Sequence, residues 1–513
     1  MISHKKPLSS STIILTTFNA RYTHTSLGLR YLYANMKALQ PYTKIREFII
    51  NSQVPDAAEK ILAEKPKIVG IGAYIWNATE VSELIVLLKS IAPEVIIVLG
   101  GPEAGYMPHR VDFSQADYII QGEGDVAFGE LCTQLLDGEA PETRFIKAPM
   151  VDMNAIVLPY EYYTDHDVAH RYVYVEASRG CPYRCEFCLS SLDKKIRNVD
   201  LDVFMRVLER LWDRGVRNFR FIDRTFNQGI TRANAILDFF LSKEPPYFAH
   251  FEVIPDNFPA SLRERISKFP PSVLQLEVGI QTLDEVISKK IYRPLKLEKI
   301  KENLEYLQTQ TKAHIHVDLI VGLPSESVEQ FARNLNQLHA LVQCEIQIGI
   351  LKKLSGTTID RHDEEEGMVY SSKPPYDILQ NNCIDFTMMQ KMKRFARFWD
   401  LVYNSGNFKR TVDFLWKDGL VFEGFFAFSE WIYEQTESTW QISLDRLAKL
   451  LYTYLLDALH VDEKLLKEVL TEDIMSVEGR KLPKFLYVEI PEVKVKKTVM
   501  FNTRQQKHAT FKG

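Results

Sequence analysis

Short apolar runs, most closed by glycine, alternate with amphipathic stretches through the first 140 residues. Residues 12–17, 67–73 and 95–99 are strand-length runs rich in branched side chains, and 118–120 is another, followed by Gly122. Between them, 27–39 and 78–90 repeat apolar residues at helical spacing. This alternation predicts a parallel sheet covered on both faces, a Rossmann-like doubly wound α/β domain over 12–140. Residues 140–173 carry prolines and aromatics without a period and read as a linker. The alternation then restarts, with strands expected at 174–177, 218–222, 250–253, 273–278, 314–320 and 345–350. Helical patterns at 203–213, 232–241 and 297–308 lie between them, which predicts a partial or full (β/α) barrel over 170–372. Beyond 373, the stretches 388–403 and 444–460 predict a mainly helical region, ending in an extended basic tail from Tyr487 to Gly513.

A chain of 513 residues exceeds a single hydrophobic core, so two to four domains are expected. With 46% hydrophobic and 25% charged residues and a net charge of -4, nothing calls for nucleic acid or an anionic membrane as partner. The longest apolar runs fall far below the ~20 residues that span a bilayer. Met1 to Ser11 lacks an apolar run, so no signal peptide and a cytoplasmic location are expected. In that compartment the six cysteines are thiols, and a cluster of them reads as metal-binding or catalytic.

Such a cluster is Ser178-Arg179-Gly180-Cys181-Pro182-Tyr183-Arg184-Cys185-Glu186-Phe187-Cys188, immediately after an expected strand. Structural zinc would want a fourth Cys or His nearby, and the next cysteine is the distant Cys344. A redox Cys185–Cys188 pair would not need Cys181. Iron–sulfur clusters are held by thiolates, usually four, so three leave one iron open to an exogenous ligand.

The CxxxCxxC spacing after a first strand resembles the radical S-adenosylmethionine superfamily. The resemblance implies a 4Fe–4S cluster on Cys181, Cys185 and Cys188, whose free iron binds S-adenosylmethionine and cleaves it to a hydrogen-abstracting radical. Phe187 would lie against the adenine. Asp223 and Thr225, at the end of the second barrel strand, would meet the methionine end, although the usual glycines are missing there. Glu252 suits a ribose or amino group, Glu277 and Gln281 belong to the fifth-strand motif, and Gly322 resembles the sixth-strand glycine that packs on adenine.

The N-terminal segment has no GxGxxG. Its glycines at strand ends resemble the cobalamin-binding domain that precedes the radical barrel in one large subfamily. This implies a corrinoid site at Gly72, Gly100, Gly101, Gly122, Glu123 and Gly124, facing the barrel across a cavity large enough for the corrin. The Asp-x-His-x-x-Gly loop that supplies an axial histidine is absent, and His24 is not assigned to cobalt.

The leading expectation is therefore a cobalamin-dependent radical enzyme methylating an unactivated carbon of a small-molecule or peptide substrate, fed by an external electron donor such as flavodoxin or ferredoxin. A radical cyclase or rearrangement enzyme keeps the same cofactors without methyl transfer. A non-catalytic iron–sulfur protein would not need the extra strand-end motifs. A methylthiotransferase would need a second cysteine triad, and Cys132 alone precedes Cys181.

Overall fold

The computed structural model describes residues 12–416, 420–477 and 479–487. The Met1 to Ser11 segment and the basic tail beyond Tyr487, Arg504 to His508 included, lie outside them. Two compact units make up the chain: Met1–Arg224 with Lys352–Asp360 and Tyr370–Asp377, and Thr225–Leu351 with Arg361–Val369 and Ile378–Gly513.

The first unit opens with a six-stranded parallel sheet. Its strands are β1 (Ile13–Asn19), β2 (Thr43–Ile49), β3 (Ile68–Gly72), β4 (Ile96–Gly100), β5 (Tyr118–Gln121) and β6 (Phe145–Lys147), in the order β2-β1-β3-β4-β5-β6. Helices α1 (Leu27–Ala34), α2 (Val54–Leu62), α3 (Ala78–Ile91) and α4 (Gly124–Asp137) make the crossovers. Alternate strand residues serve opposite faces. Ile14, Phe18, Val69, Ile71, Ile97 and Leu99 join one core with α2 and α3. Ile13, Leu15, Ile68, Val98 and Ile120 join the other, with Leu29 of α1 and Phe128 and Leu131 of α4. Gly70 is required here, because a Cβ would stand 2.6 Å from the Phe128 ring.

β2 was not expected from the sequence. As an edge strand with one neighbour it is only half buried, and Lys44, Arg46 and Glu47 interrupt its apolar run. The predicted linker is likewise structured, carrying β6 and α5 (Asp165–His170), which Thr164 and Asp167 start as a reciprocal capping box. Asp167 also accepts from Arg30 of α1 at 2.8 Å, and Arg30 reaches Glu47 at 3.0 Å.

Further along this unit, β7 (Val173–Val175) pairs in parallel with β10 (Asn218–Phe221), with α6 (Leu201–Asp213) between them. A two-residue antiparallel ladder, β8 (Ser178–Arg179) against β9 (Arg197–Asn198), closes the intervening cysteine loop at its base.

In the second unit, β11 (Phe248–Val253), β12 (Leu274–Gln281), β13 (His314–Val321) and β14 (Glu345–Ile350) are parallel neighbours in chain order. They alternate with α7 (Ile230–Leu241), α8 (Ala260–Ser267), α9 (Glu285–Lys290), α10 (Leu297–Gln310) and α11 (Val328–Leu341). The helical region follows as α12 (Phe386–Val402), α13 (Val421–Thr436), α14 (Leu444–Asp457) and α15 (Glu463–Met475). It is tied to β14 where Trp399 Nε1 and Asn404 Nδ2 donate to the Ile346 carbonyl at 2.9 and 2.8 Å. The barrel strands thus number six among the described residues, two in the first unit and four in the second. None of the six cysteines is in a disulfide, and no described helix is long and apolar enough to cross a membrane.

Candidate functional site

Beyond the carboxyl ends of β3, β4 and β5 lies a cavity of about 360 Å³. It borders the β1/β3 switch point, where strand order reverses and open parallel sheets take their ligands. Gly72, Gly100, Gly101, Gly122, Glu123 and Gly124 all line it, with apolar Leu29, Leu32, Ile71, Leu99 and Phe128. The glycines do different work. A Cβ on Gly100 would meet nothing within 4 Å, so this position leaves room for a ligand. Gly101 and Gly122 have φ of +99° and +98°, and a Cβ there would run into the Ala73 and Ala148 carbonyls at 2.4 and 2.6 Å. These two serve the turn of the chain first. Its volume suits a nucleotide-sized group. The fit is therefore to a cofactor tail.

His24 stays off the cavity wall. Its Nδ1 lies 2.5 Å from Tyr174 Oη, its ring meets Tyr172 edge-on, and burial followed by nearby arginines lowers its pKa. Asn77 is a staple, accepting from Tyr74 N at 2.7 Å and donating to Thr17 Oγ1 and the Phe18 carbonyl, both at 3.0 Å. Trp76 stacks on Tyr74 at 4.5 Å between centroids and stays 45% exposed.

The polar end of the cavity is Arg179, two residues before Cys181. Its guanidinium donates to Asp125 at 3.0 and 3.2 Å and to Glu176 at 3.0 Å through each of two nitrogens. Sequence reading passed over this arginine, although its place in the cysteine motif was a signal. Its β8–β9 partner Arg197 donates to both Glu123 oxygens at 2.8 and 2.5 Å and to Asp193. Within the loop the Cys181 N–H donates to the Asp193 carbonyl at 2.8 Å, and the Cys188 N–H to the Cys185 carbonyl at 3.1 Å. Cys181 and Cys185 are buried, while Cys188 and Phe187 are half-buried. Among the described residues no three His, Cys, Asp or Glu side chains converge on a single ion. Three cysteine thiols on one loop are the donor type that iron–sulfur clusters take, so the chemistry of the set fits a cluster.

Asp223 supports this loop from below. It accepts the Ala177 N–H at 3.0 Å and the Ser178 hydroxyl at 2.6 Å. Burial pushes its carboxyl up to about 7 against those bonds.

Thr225, Glu252, Glu277, Gln281 and Gly322 belong to the second unit. Glu252 stands opposite Glu277 in the β11–β12 register, and His250 Nε2 lies 3.0 Å from Glu277. Asp318, on β13 opposite Gly279, joins this group. Burial, then the Glu277 and Glu252 charges, hold its carboxyl well above the usual range. Gln281 follows a register shift, sits at φ +66°, and leaves a buried Oε1 with no hydrogen-bond partner. Gly322 has φ +90°, and a Cβ there would reach Ile378 at 2.7 Å. Thr225 is buried and its carbonyl accepts the Gln228 N–H at 2.9 Å. The acids and the glutamine amide form a strand-borne polar surface able to receive hydroxyl and ammonium donors.

Nearby Glu326 gives a pH prediction. Thr282 Oγ1 and Asn334 Nδ2 donate to its Oε1 at 2.8 and 2.9 Å, yet burial dominates and lifts the carboxyl to about 8. A carboxyl raised in the fold stabilises fully below its unfolded value, and that contribution is lost as pH rises to the folded value. The stability difference between the wild type and Glu326→Gln is expected to move against the wild type from about pH 5 to about pH 8 and to level off above. Thermal melts of both proteins across that range check it; parallel curves would refute it.

A family model described as "B12 binding domain" matches residues 13–132, and one described as "Radical SAM superfamily" matches residues 175–338. A third, "Protein of unknown function (DUF4080)", matches 364–512. The chain is 28% identical over 239 residues to an uncharacterized methyltransferase of Pyrococcus horikoshii, covering 40% of this chain and 50% of that one. To TokK of Streptomyces tokunonensis, a cobalamin-dependent radical SAM methyltransferase, it is 23% identical over 316 residues, covering 53% and 45%. It thus spans about half the length of these curated relatives. Among solved structures it shares its fold with OxsB, a cobalamin-dependent S-adenosylmethionine radical enzyme solved with aqua-cobalamin and S-adenosylmethionine bound. The TM-score is 0.62 at 12% identity, covering 98% of this chain and 83% of that one. Cavity, cysteine loop and strand-end residues therefore fall in a chain that carries a B12-binding domain and a radical S-adenosylmethionine domain, followed by a DUF4080 region.

Proposed function

We propose that this protein is a radical S-adenosylmethionine enzyme that binds a 4Fe–4S cluster and cobalamin and methylates an unactivated carbon of a small-molecule or peptide substrate. One observation carries the reading: the glycine-lined cavity and the base of the three-cysteine loop share a wall, Arg179. Two separate cofactor modules would need no such common wall, whereas a two-cofactor reaction needs its reacting groups held in near contact. When bound, the cluster would supply one-electron cleavage of S-adenosylmethionine, and cobalamin a transferable methyl group.

In this reading Cys181, Cys185 and Cys188 hold the cluster and Phe187 covers the adenine. Asp223 fixes the loop through Ala177 and Ser178. Thr225, Glu252, Glu277, Gln281 and Gly322 receive the polar and adenine parts of S-adenosylmethionine. Gly100 leaves room for the cobalamin tail, and Gly72, Gly101, Gly122, Glu123 and Gly124 complete its pocket. Arg179 closes the polar end. Electrons come from an external one-electron donor of flavodoxin or ferredoxin type.

The test is anaerobic turnover of reconstituted protein with S-adenosylmethionine, hydroxocobalamin, a reductant and extract from its native cells. Formation of 5′-deoxyadenosine and S-adenosylhomocysteine, with one product heavier by a methylene unit, is expected. 5′-Deoxyadenosine with a product of unchanged carbon count would replace methylation by cyclisation or rearrangement.

A further inference from the structure

We infer that Glu123 is a positioning residue through which occupancy of the glycine-lined cavity sets the geometry of the cysteine loop, so that cobalamin and cluster hold each other in place. The inference rests on the functional reading above and adds a linkage between its two cofactor sites.

Glu123 stands on the cavity wall at the start of α4. Its carboxylate serves both arginines of the loop base: Arg197 at 2.8 and 2.5 Å and Arg179 at 3.4 Å. It also accepts the Val151 N–H at 2.6 Å, on the same oxygen that Arg197 Nη1 meets at 2.8 Å. The two arginines face each other across β8–β9, the ladder that pinches the loop shut. There is no slack at that pinch. Gly180 has φ +96°, and a Cβ on it would come within 2.3 Å of the Lys195 carbonyl. A displacement of either guanidinium is therefore passed to the backbone that carries Cys181.

Charge argues for positioning over mere stability. Arg179 and Arg197 meet Glu123, Asp125, Glu176 and Asp193, with each of the six side chains less than a quarter exposed. Buried pairs of this kind return little net stability against apolar substitutes, because desolvation offsets the attraction. Their fork geometry instead fixes orientation sharply. A ligand that packs against Glu123, Asp125 and Arg179 selects one arrangement of the forks, and a cluster that selects the same arrangement is favoured by it. By linkage the effect is reciprocal.

The experiment titrates full-length protein with hydroxocobalamin by visible absorbance, once with the cluster reconstituted and once without it. Wild type is expected to bind cobalamin about fivefold or more tightly when the cluster is present. Hydroxocobalamin is likewise expected to slow iron release to a ferrous chelator. In Glu123→Gln, which keeps shape and loses charge, the two affinities should agree within about twofold while both cofactors still bind. Arg179→Lys, which keeps charge and loses the fork, should behave the same way and decides the matter if Glu123→Gln does not fold. Glu123→Asp should restore part of the ratio. Equal affinities in wild type, or an unchanged ratio in both variants, overturn the linkage and leave the functional reading intact. Failure of wild type to bind cobalamin at all overturns both.

Discussion

Replacing Cys185 with alanine is expected to abolish the iron–sulfur chromophore and to reduce S-adenosylmethionine cleavage by at least about 1,000-fold, to background. In the proposed site three thiolates on one short loop are the protein's contribution to the cluster, and two are not expected to retain it. Cys185 is buried inside a loop closed at its base by β8–β9, and the remaining cysteines, Cys132, Cys344 and Cys383, are remote in sequence. Cys181→Ala and Cys188→Ala should do the same. Iron and sulfide analysis after anaerobic reconstitution should give about four of each per chain in wild type and near zero in each variant. Cobalamin should still bind the variants, which separates loss of the cluster from loss of the fold. A variant that keeps the chromophore and cleaves S-adenosylmethionine would remove that cysteine from the site, and purified protein holding zinc and no iron would end the cluster reading.

Gly100→Leu is expected to weaken cobalamin binding by about 10- to 100-fold while leaving cluster assembly intact. At Gly100 a side chain would grow into open cavity space, meeting no atom within 4 Å at its Cβ. The fold should therefore accept leucine. The ligand should not, because a leucine takes up much of a cavity of about 360 Å³ and forces overpacking worth about 1–3 kcal/mol. Gly100→Ala should cost far less. Gly122→Leu is the contrasting case: at φ +98° and against the Ala148 carbonyl it should lower stability as well as binding. Hydroxocobalamin titration beside thermal melts distinguishes the two; equal affinity of Gly100→Leu and wild type would move the tail out of this cavity.

Much of the architecture was legible because local pattern and final environment agree. Buried strands such as β3 and β4 are apolar runs ended by glycine, and α6 and α10 repeat apolar residues at helical spacing. The cysteine triad declared itself because its chemistry is contained in eight consecutive residues. Edge strand β2 escaped, since a strand paired on one side needs no continuous apolar run. α5 escaped too, because its hold comes from Asp167 meeting Arg30, 137 residues away.

What the sequence by itself determined, then, was the alternation of buried strands and helices, the three-cysteine motif and the glycine-rich sheet edge. Tertiary structure alone decided which glycine faces the cavity and which turns the chain, because Gly100, Gly101 and Gly122 look alike until a neighbouring carbonyl distinguishes them. It alone brought Glu123 and Asp125, at the start of α4, to Arg179 across 54 or more residues of chain. And it alone gave Asp318 its raised carboxyl, since that shift arises from burial beside Glu277 and Glu252 on neighbouring strands. The reason is the same in each case. Periodicity and motif spacing report what a residue does for its own segment, whereas a site is made where segments distant in sequence meet, and the energy of that meeting depends on distances no local pattern carries.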